Sequence, residues 1–391
     1  MKNIPALNKK VFLITLLIIL LFLLFRVPFE LPPDSGDIDF RPYWSSTYLF
    51  RNGDDFSSPE KMDEVERKLT GWDLPFTMIA WFFPTGNLIL LPYTYFTFSR
   101  ASFYWLITNI VGLFMSAVLI WPKTNKKIWI PLLTVFGFSM TLISLKYGQV
   151  NTMVLLGVVL FLTFYKKNQG FLAGTSLILT TIKPHLVILT LPLLILEMFK
   201  RKYWRILAGF VSALLVSSIL LFFLNPEWPA RFLYLISYGM ATVRLTPTIN
   251  GLFVFAGNYF LGKWLWIIFL ASSILSLWFY RKKIGIRSLI DISLICGLII
   301  SPIGWSYDQM MLLIPILRIL EWISEGTFYK FESIIMVCVL LIVNGISFYQ
   351  RTLLVDDVWF FWLPMITGLL YGYASFQKYR ISIKHNSKEE S

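Results

Sequence analysis

The stretch DSGDIDFRPYWSS, residues 34–46, follows a long oily segment and sets Asp37 and Asp39 just ahead of Pro42, Tyr43 and Trp44. A carboxylate held there, Asp39 above all, can accept a proton from a sugar or lipid hydroxyl that comes within hydrogen-bond reach. The plainer reading is a solvated loop aspartate among several others. Lys183 raises a sharper question. It stands in LTTIKPHLVIL, midway along an apolar stretch, and Pro184 after it breaks any helix. An ammonium at that depth is costly unless paired or hydrated, so it points to function, and the phosphate of a lipid would suit it as partner. The alternative is a short outer loop from which the lysine snorkels to water. His185 either donates to the same phosphate or merely ends the turn.

Two further constellations carry polar groups between apolar runs. LKYGQVN, residues 145–151, puts Gln149 and Asn151 at the mouth of a span, where amides can line a cavity or simply cap the helix. SPIGWSYDQ, residues 301–309, is a helix break with Trp305, Tyr307 and Asp308, whose aromatic rings also suit an interfacial belt. The amphipathic piece YWSSTYLFR, residues 43–51, is expected to lie in the interface with Tyr43, Trp44 and Tyr48 at headgroup depth. Arg318 and Glu321, three apart, are expected to neutralise one another, and Asp291 has no evident partner.

The elements that must position these residues are set by composition. Apolar residues make up 57% of the chain, charged residues 15%, and mean hydropathy is +0.67, which excludes a soluble domain and implies a polytopic helical membrane protein. The short alternating segments of an outer-membrane barrel are missing. The first run, VFLITLLIILLFLLFRV at 11–27, is too long for a signal-peptide core and reads as a retained anchor. The two cysteines, Cys296 and Cys338, lie in apolar runs and form no metal motif. With His185 and His385 the only histidines, no metal site is expected, and no cofactor either.

The net charge of +13 is gathered in short clusters between the apolar runs, such as KTNKK at 123–127, KRKYWR at 200–205 and RKKIGIR at 281–287. These mark cytoplasmic loops and meet anionic headgroups, so the partner is the lipid bilayer rather than nucleic acid. About 12 transmembrane helices follow, with both termini cytoplasmic. The expected organisation is one integral membrane domain: the anchor 11–27, an outer catalytic loop 28–75, core helices 76–224, a second outer loop 225–262, C-terminal helices 263–375 and a cytoplasmic tail 376–391. The outer loop 28–75 holds 11 of the 22 acids. Pro84, Gly86 and Pro92 interrupt 76–98, which is expected to re-enter or form a broken hairpin rather than span. The second loop, with Arg231 and Arg244, is expected to cover a cavity, or else to lie on the headgroups. All four polar constellations then fall at outer ends of spans, which implies one outward-facing cavity.

There is no phosphate-binding glycine loop and no large soluble domain for a nucleotide sugar, so an activated donor would have to arrive from the membrane. In this order the motifs resemble glycosyltransferase family 87, membrane enzymes of the GT-C superfamily that use polyprenyl-phosphate sugars. The resemblance runs over roughly residues 35–320: Asp39, Phe40 and Tyr43; RNGDD at 51–55; FFPTG with its later LP at 82–92; GQVN at 148–151; Ala173, Gly174, Lys183 and Pro184; Asn250; and SPIGW at 301–305. It implies a GT-C-like all-α fold with two long extracytoplasmic loops and inverting transfer of a mannose-like hexose to a glycolipid or glycan acceptor at the outer face of the plasma membrane. Asp39 matches the acid regarded as the base, Lys183 the lysine near the lipid phosphate with His185 beside it, and Gln149 and Asn151 the polar lining. Asp37, Tyr43, Asn250, Trp305, Tyr307 and Asp308 are candidates for the acceptor or the cavity. Departures are Thr85 where the family has a second proline, and Tyr307 and Asp308 where it often has histidines. A transporter or flippase of lipid-linked sugars would use the same cavity but needs a path to both faces.

Overall fold

The computed structural model describes residues 38–240, 245–281 and 284–389, so the anchor 11–27, Asp37 and Arg244 lie outside the described residues. Every regular element among those residues is helical. In chain order the helices are α1 (Phe40–Arg51), α2 (Pro59–Thr70), α3 (Thr85–Leu90), α4 (Phe98–Ile120), α5 (Trp129–Gly137), α6 (Ser139–Lys146), α7 (Asn151–Lys166), α8 (Gly170–Ser176) and α9 (Thr190–Lys200). They continue as α10 (Trp204–Leu224), α11 (Trp228–Met240), α12 (Ile249–Phe255), α13 (Tyr259–Tyr280), α14 (Ile286–Ile300), α15 (Leu313–Ser324), α16 (Lys330–Thr352) and α17 (Trp362–Glu389).

Four of these, α4, α10, α13 and α16, are long and apolar enough to cross a membrane, and the pair α5–α6, bent by 58°, makes a fifth if counted as one. About 12 full crossings are not borne out. Within the regions expected to hold the other spans, α8, α9, α14 and α15 have only 7, 11, 15 and 12 residues. At ~1.5 Å rise per residue even 15 residues fall short of a hydrocarbon core of ~30 Å. Pro184 and the polar turns end these helices, and what remains between the breaks is too short for a crossing. The short helices are held by close approach: a Cβ on Gly174 would stand 1.8 Å from the Ile206 carbonyl oxygen, and one on Gly209 2.1 Å from that of Phe171. Only glycine at both points lets α8 and α10 touch backbone to backbone.

At 76–98 the chain forms no crossing but the short α3 and a 3-10 turn at Leu91–Tyr95. The Phe83 amide donates to the Ile182 carbonyl at 2.8 Å, and the Thr85 and Thr181 hydroxyls meet at 2.9 Å, so this broken piece is docked on the break that carries Lys183. At the α5–α6 bend, Asn344 of α16 accepts from the Ser139 amide at 2.7 Å and donates to the Gly137 carbonyl at 2.9 Å. One side-chain amide thereby satisfies the backbone groups that the bend releases.

Two expectations need correction. Helix α1 does not present its rings to lipid headgroups: Phe40, Tyr43 and Trp44 are 0%, 4% and 3% exposed, and Trp44 donates from its indole to the Tyr93 carbonyl at 3.1 Å. Its polar residues face other parts of the protein, which an amphipathic pattern cannot distinguish from a headgroup layer. Asp291 is also not unpartnered. Tyr371 of α17 donates to it at 2.9 Å, and Arg318 approaches at 3.9 Å while also reaching Glu321 at 3.4 Å. Glu321 in turn is held more closely by Arg287, at 2.6 Å.

Candidate active site

Asp39 stands at the N-cap of α1, a position where aspartate commonly accepts from its own helix, yet it makes no side-chain cap bond. Its amide and that of Phe40 instead donate to the Tyr147 carbonyl, at 3.2 and 3.1 Å. Pro42 lacks an N–H, so that position leaves no donor to be satisfied in the first turn. The carboxylate is thus left for another partner, and it accepts from the Gln149 side-chain nitrogen.

Gln149 is delivered by the end of α6. Gly148 adopts φ +66°, and the Gln149 amide folds back to the Ser144 carbonyl at 2.9 Å while the Gly148 amide reaches Leu145 at 3.2 Å. This left-handed helix terminus suits glycine, which has no Cβ to clash. The Trp105 indole fixes the turn by donating to the Gly148 carbonyl at 2.8 Å. The side-chain oxygen of Gln149 then receives two donors, Lys183 Nζ at 2.6 Å and the Tyr43 hydroxyl at 3.0 Å. Those donors define the amide orientation, since only its nitrogen is left to serve Asp39.

Lys183 sits between two 3-10 turns with φ −127° and ψ 79°, the extended backbone that Pro184 imposes on the residue before it. The kink aims the ammonium inward, where it is 1% exposed. Besides Gln149 it meets Asp308 Oδ1 at 3.3 Å, and it lies 5.2, 5.7 and 5.9 Å from the ring centres of Tyr307, Trp305 and Tyr43. Its charge is therefore compensated by a carboxylate and three aromatic faces.

Asp308 is the more fully coordinated acid. Oδ1 also accepts from Asn151 at 3.0 Å, and Oδ2 accepts from the Trp305 amide at 2.9 Å and lies 3.2 Å from His185 Nε2. The bond to Trp305 is the reach-back of an N-terminal-turn acid to the backbone that opens its own 3-10 helix. Asn151 donates as well to the Tyr307 carbonyl at 3.2 Å, so its role is to join two segments rather than to cap α7. Trp305 and Tyr307 stack with 7° between planes and 6.1 Å between centres.

A cavity of about 320 Å³ opens over this cluster, with Asp39, Tyr43, Phe76, Trp81, Trp305 and Tyr307 among its walls. Burial pushes the Asp39 carboxyl up to about 6, against the opposing pull of the Lys183 ammonium and the Gln149 amide. A carboxylate so tuned, partly open to a cavity, can take a proton from a hydroxyl near neutral pH.

Asp39, Tyr43, Gln149, Asn151, Lys183, His185, Trp305, Tyr307 and Asp308 thus come together from four distant segments. Asn250 does not join them; it donates to the Pro302 carbonyl at 3.0 Å and ties α12 to the SPIGW turn. Among the described residues of 225–262, none is among the cavity's walls; Arg231 of α11 binds the Gly53 carbonyl of the first loop at 3.1 Å. Lys183 lies beneath the cavity floor, committed to two partners, rather than free within the cavity. Phe76 and Trp81 were missed by sequence reasoning, because they lie in irregular chain where no periodicity marks an inward face.

The family model for glycosyltransferase family 87 matches residues 83–302, more than half of the chain. Gln149, Asn151, Lys183 and His185 fall within that range, whereas Asp39, Trp305 and Asp308 fall outside it. No curated protein and no solved structure matches the chain.

Proposed function

This chain belongs to glycosyltransferase family 87, and we propose that it transfers a mannose-like hexose from a polyprenyl-phosphate sugar to a hydroxyl of a glycolipid or envelope glycan. The reaction takes place at the outer face of the plasma membrane, with both termini in the cytoplasm. The acceptor hydroxyl lies over Asp39. As its oxygen forms a bond to the anomeric carbon, the proton passes to the Asp39 carboxylate, and the bond to phosphate breaks in line. The electron pair leaves with the polyprenyl phosphate, and the anomeric centre inverts. His185, at the edge of the cluster, and the positive potential of Lys183 from below favour the charge that develops on the departing phosphate.

The observation that carries this reading is the Asp39 carboxylate, raised to about 6, at the wall of an aromatic-lined cavity and joined through Gln149 to a buried ammonium. A raised carboxylate also suits a proton-coupled transporter, so release of free polyprenyl phosphate is what separates the two readings. The test is purified protein in detergent, given a polyprenyl-phosphate mannose and a mixed panel of glycan and glycolipid acceptors. Wild-type protein releases free polyprenyl phosphate and Asp39→Asn does not, although it is folded and binds the donor. Equal release by the two proteins overturns the assignment of the base, and no release by wild type across the panel favours lipid-linked sugar transport.

A further inference from the structure

We infer that Arg351 and Asp357, from the C-terminal part of the chain beyond the matched range, position both carboxylates of the site. The inference rests on the reading of Asp39 as the base. Arg351, near the end of α16, donates to the Tyr147 hydroxyl at 2.8 Å, and its guanidinium carbon lies 5.4 Å from the centre of that ring. The carbonyl of the same tyrosine is the acceptor for the Asp39 and Phe40 amides. The other arm of Arg351 lies 3.5 Å from Asp357 Oδ1, and that oxygen accepts the Ser306 amide at 3.0 Å, two residues before Asp308. The two arms meet again where the Tyr147 ring sets its edge against Tyr307, 88° between planes and 5.9 Å between centres.

One guanidinium therefore holds the turn that receives Asp39 and the turn that carries Asp308. A planar fork with a fixed separation between its arms suits this, because it sets distance as well as charge. Arg351 is not among the walls of the cavity, so it touches no substrate and acts through Tyr147 and Ser306. The need for such a brace follows from α1: the amides of Asp39 and Phe40 are both held by the Tyr147 carbonyl, and Asp39 does not cap its own helix. A shift of about 1 Å in that turn is enough to take a base out of reach of its hydroxyl.

The experiment compares Arg351→Gln, Tyr147→Phe, the double variant and Arg351→Lys. Hydrogen–deuterium exchange is read at the Asp39 and Phe40 amides, and turnover with polyprenyl-phosphate mannose and the acceptor panel. Each of the first two variants is expected to speed exchange at those amides while leaving α2 unchanged, and to lower kcat about 10-fold with the donor KM held within about twofold. The double variant adds nothing to the worse single, because the two share one contact. Arg351→Lys recovers part of kcat, since it keeps the charge toward Asp357. Unchanged exchange, additive losses or a change confined to KM each overturn the proposal. Should Arg351→Gln not fold, Tyr147→Phe, which keeps the ring, decides the matter by the same readouts. If Asp39→Asn is active, the base assignment fails, while the exchange result still decides whether Arg351 holds the turn.

Discussion

Lys183 stands 2.6 Å from the side-chain oxygen of Gln149, and the nitrogen of that same amide donates to Asp39. A single neutral group thus lies between the buried cation and the proposed base. It transmits the pull of the ammonium without forming an ion pair that would suppress the basicity of the carboxylate.

Gln149→Leu keeps approximate volume and removes both links. Asp39 loses its orienting donor, and Lys183 loses its shortest contact. The expected result is a fall in kcat of about 100-fold with a smaller change in donor KM, read by steady-state kinetics on protein that elutes as wild type does in detergent.

The pH profile follows from Asp39. Its carboxyl is raised to about 6 by burial, and only the ionised form accepts a proton, so kcat/KM falls as pH drops through that value. Lys183 opposes the rise, so Lys183→Met moves the acid limb to higher pH. An acid limb that stays in place in the lysine variant means that another group sets it.

Lys183 and Asp308 are 1% and 2% exposed in their side chains, so breaking the pair strands a buried charge. Asp308→Asn or Lys183→Met alone is expected to cost about 3–5 kcal/mol of stability. The double variant recovers much of that loss, because neither charge is left alone. Thermal unfolding in detergent measures it, and losses that simply add would show the two charges to be independent.

Glu66, in α2, gives a stability prediction with the opposite sign to that of a salt-bridged acid. Burial raises it from 4.5 to about 7, although the Met78 amide donates to it at 3.0 Å. Between those two values the unfolded chain has released a proton that the folded chain still holds, so stability falls as pH rises through the window. Glu66→Gln keeps an acceptor for Met78 and removes the penalty. It should unfold at a higher temperature than wild type above pH 7 and at a similar temperature near pH 4.5, with unfolding followed by intrinsic fluorescence.

The convergence of the site was legible in the sequence. DIDF, YGQVN, IKPH and SPIGWSYD were each readable as polar breaks at outer ends of apolar runs, and the fold places Asp39, Gln149, Lys183 and Asp308 in one cluster. Their pairing was not legible. Lys183 and Asp308 are 125 residues apart and Asp291 and Tyr371 are 80 apart, and no local period links such residues. The burial of α1 was misread because Ser45, Ser46 and Thr47 look like a solvent face until the surrounding helices are known; all three are at most 2% exposed. The span count failed for a related reason. A hydropathy reading counts the runs on either side of Pro184 and of the turn at 301–305 each as a crossing, whereas the helices they form hold only 7, 11, 15 and 12 residues.

The bend between α5 and α6 is closed by Asn344, which comes from the helix that also carries Arg351. A fragment trimmed to the family-matched residues would expose an unsatisfied amide and carbonyl at that joint, in surroundings with little water to solvate them. The part of the chain beyond the matched range is for this reason no detachable appendage, and shortened versions or chimaeras that exchange it would need a matching amide at the corresponding place to assemble.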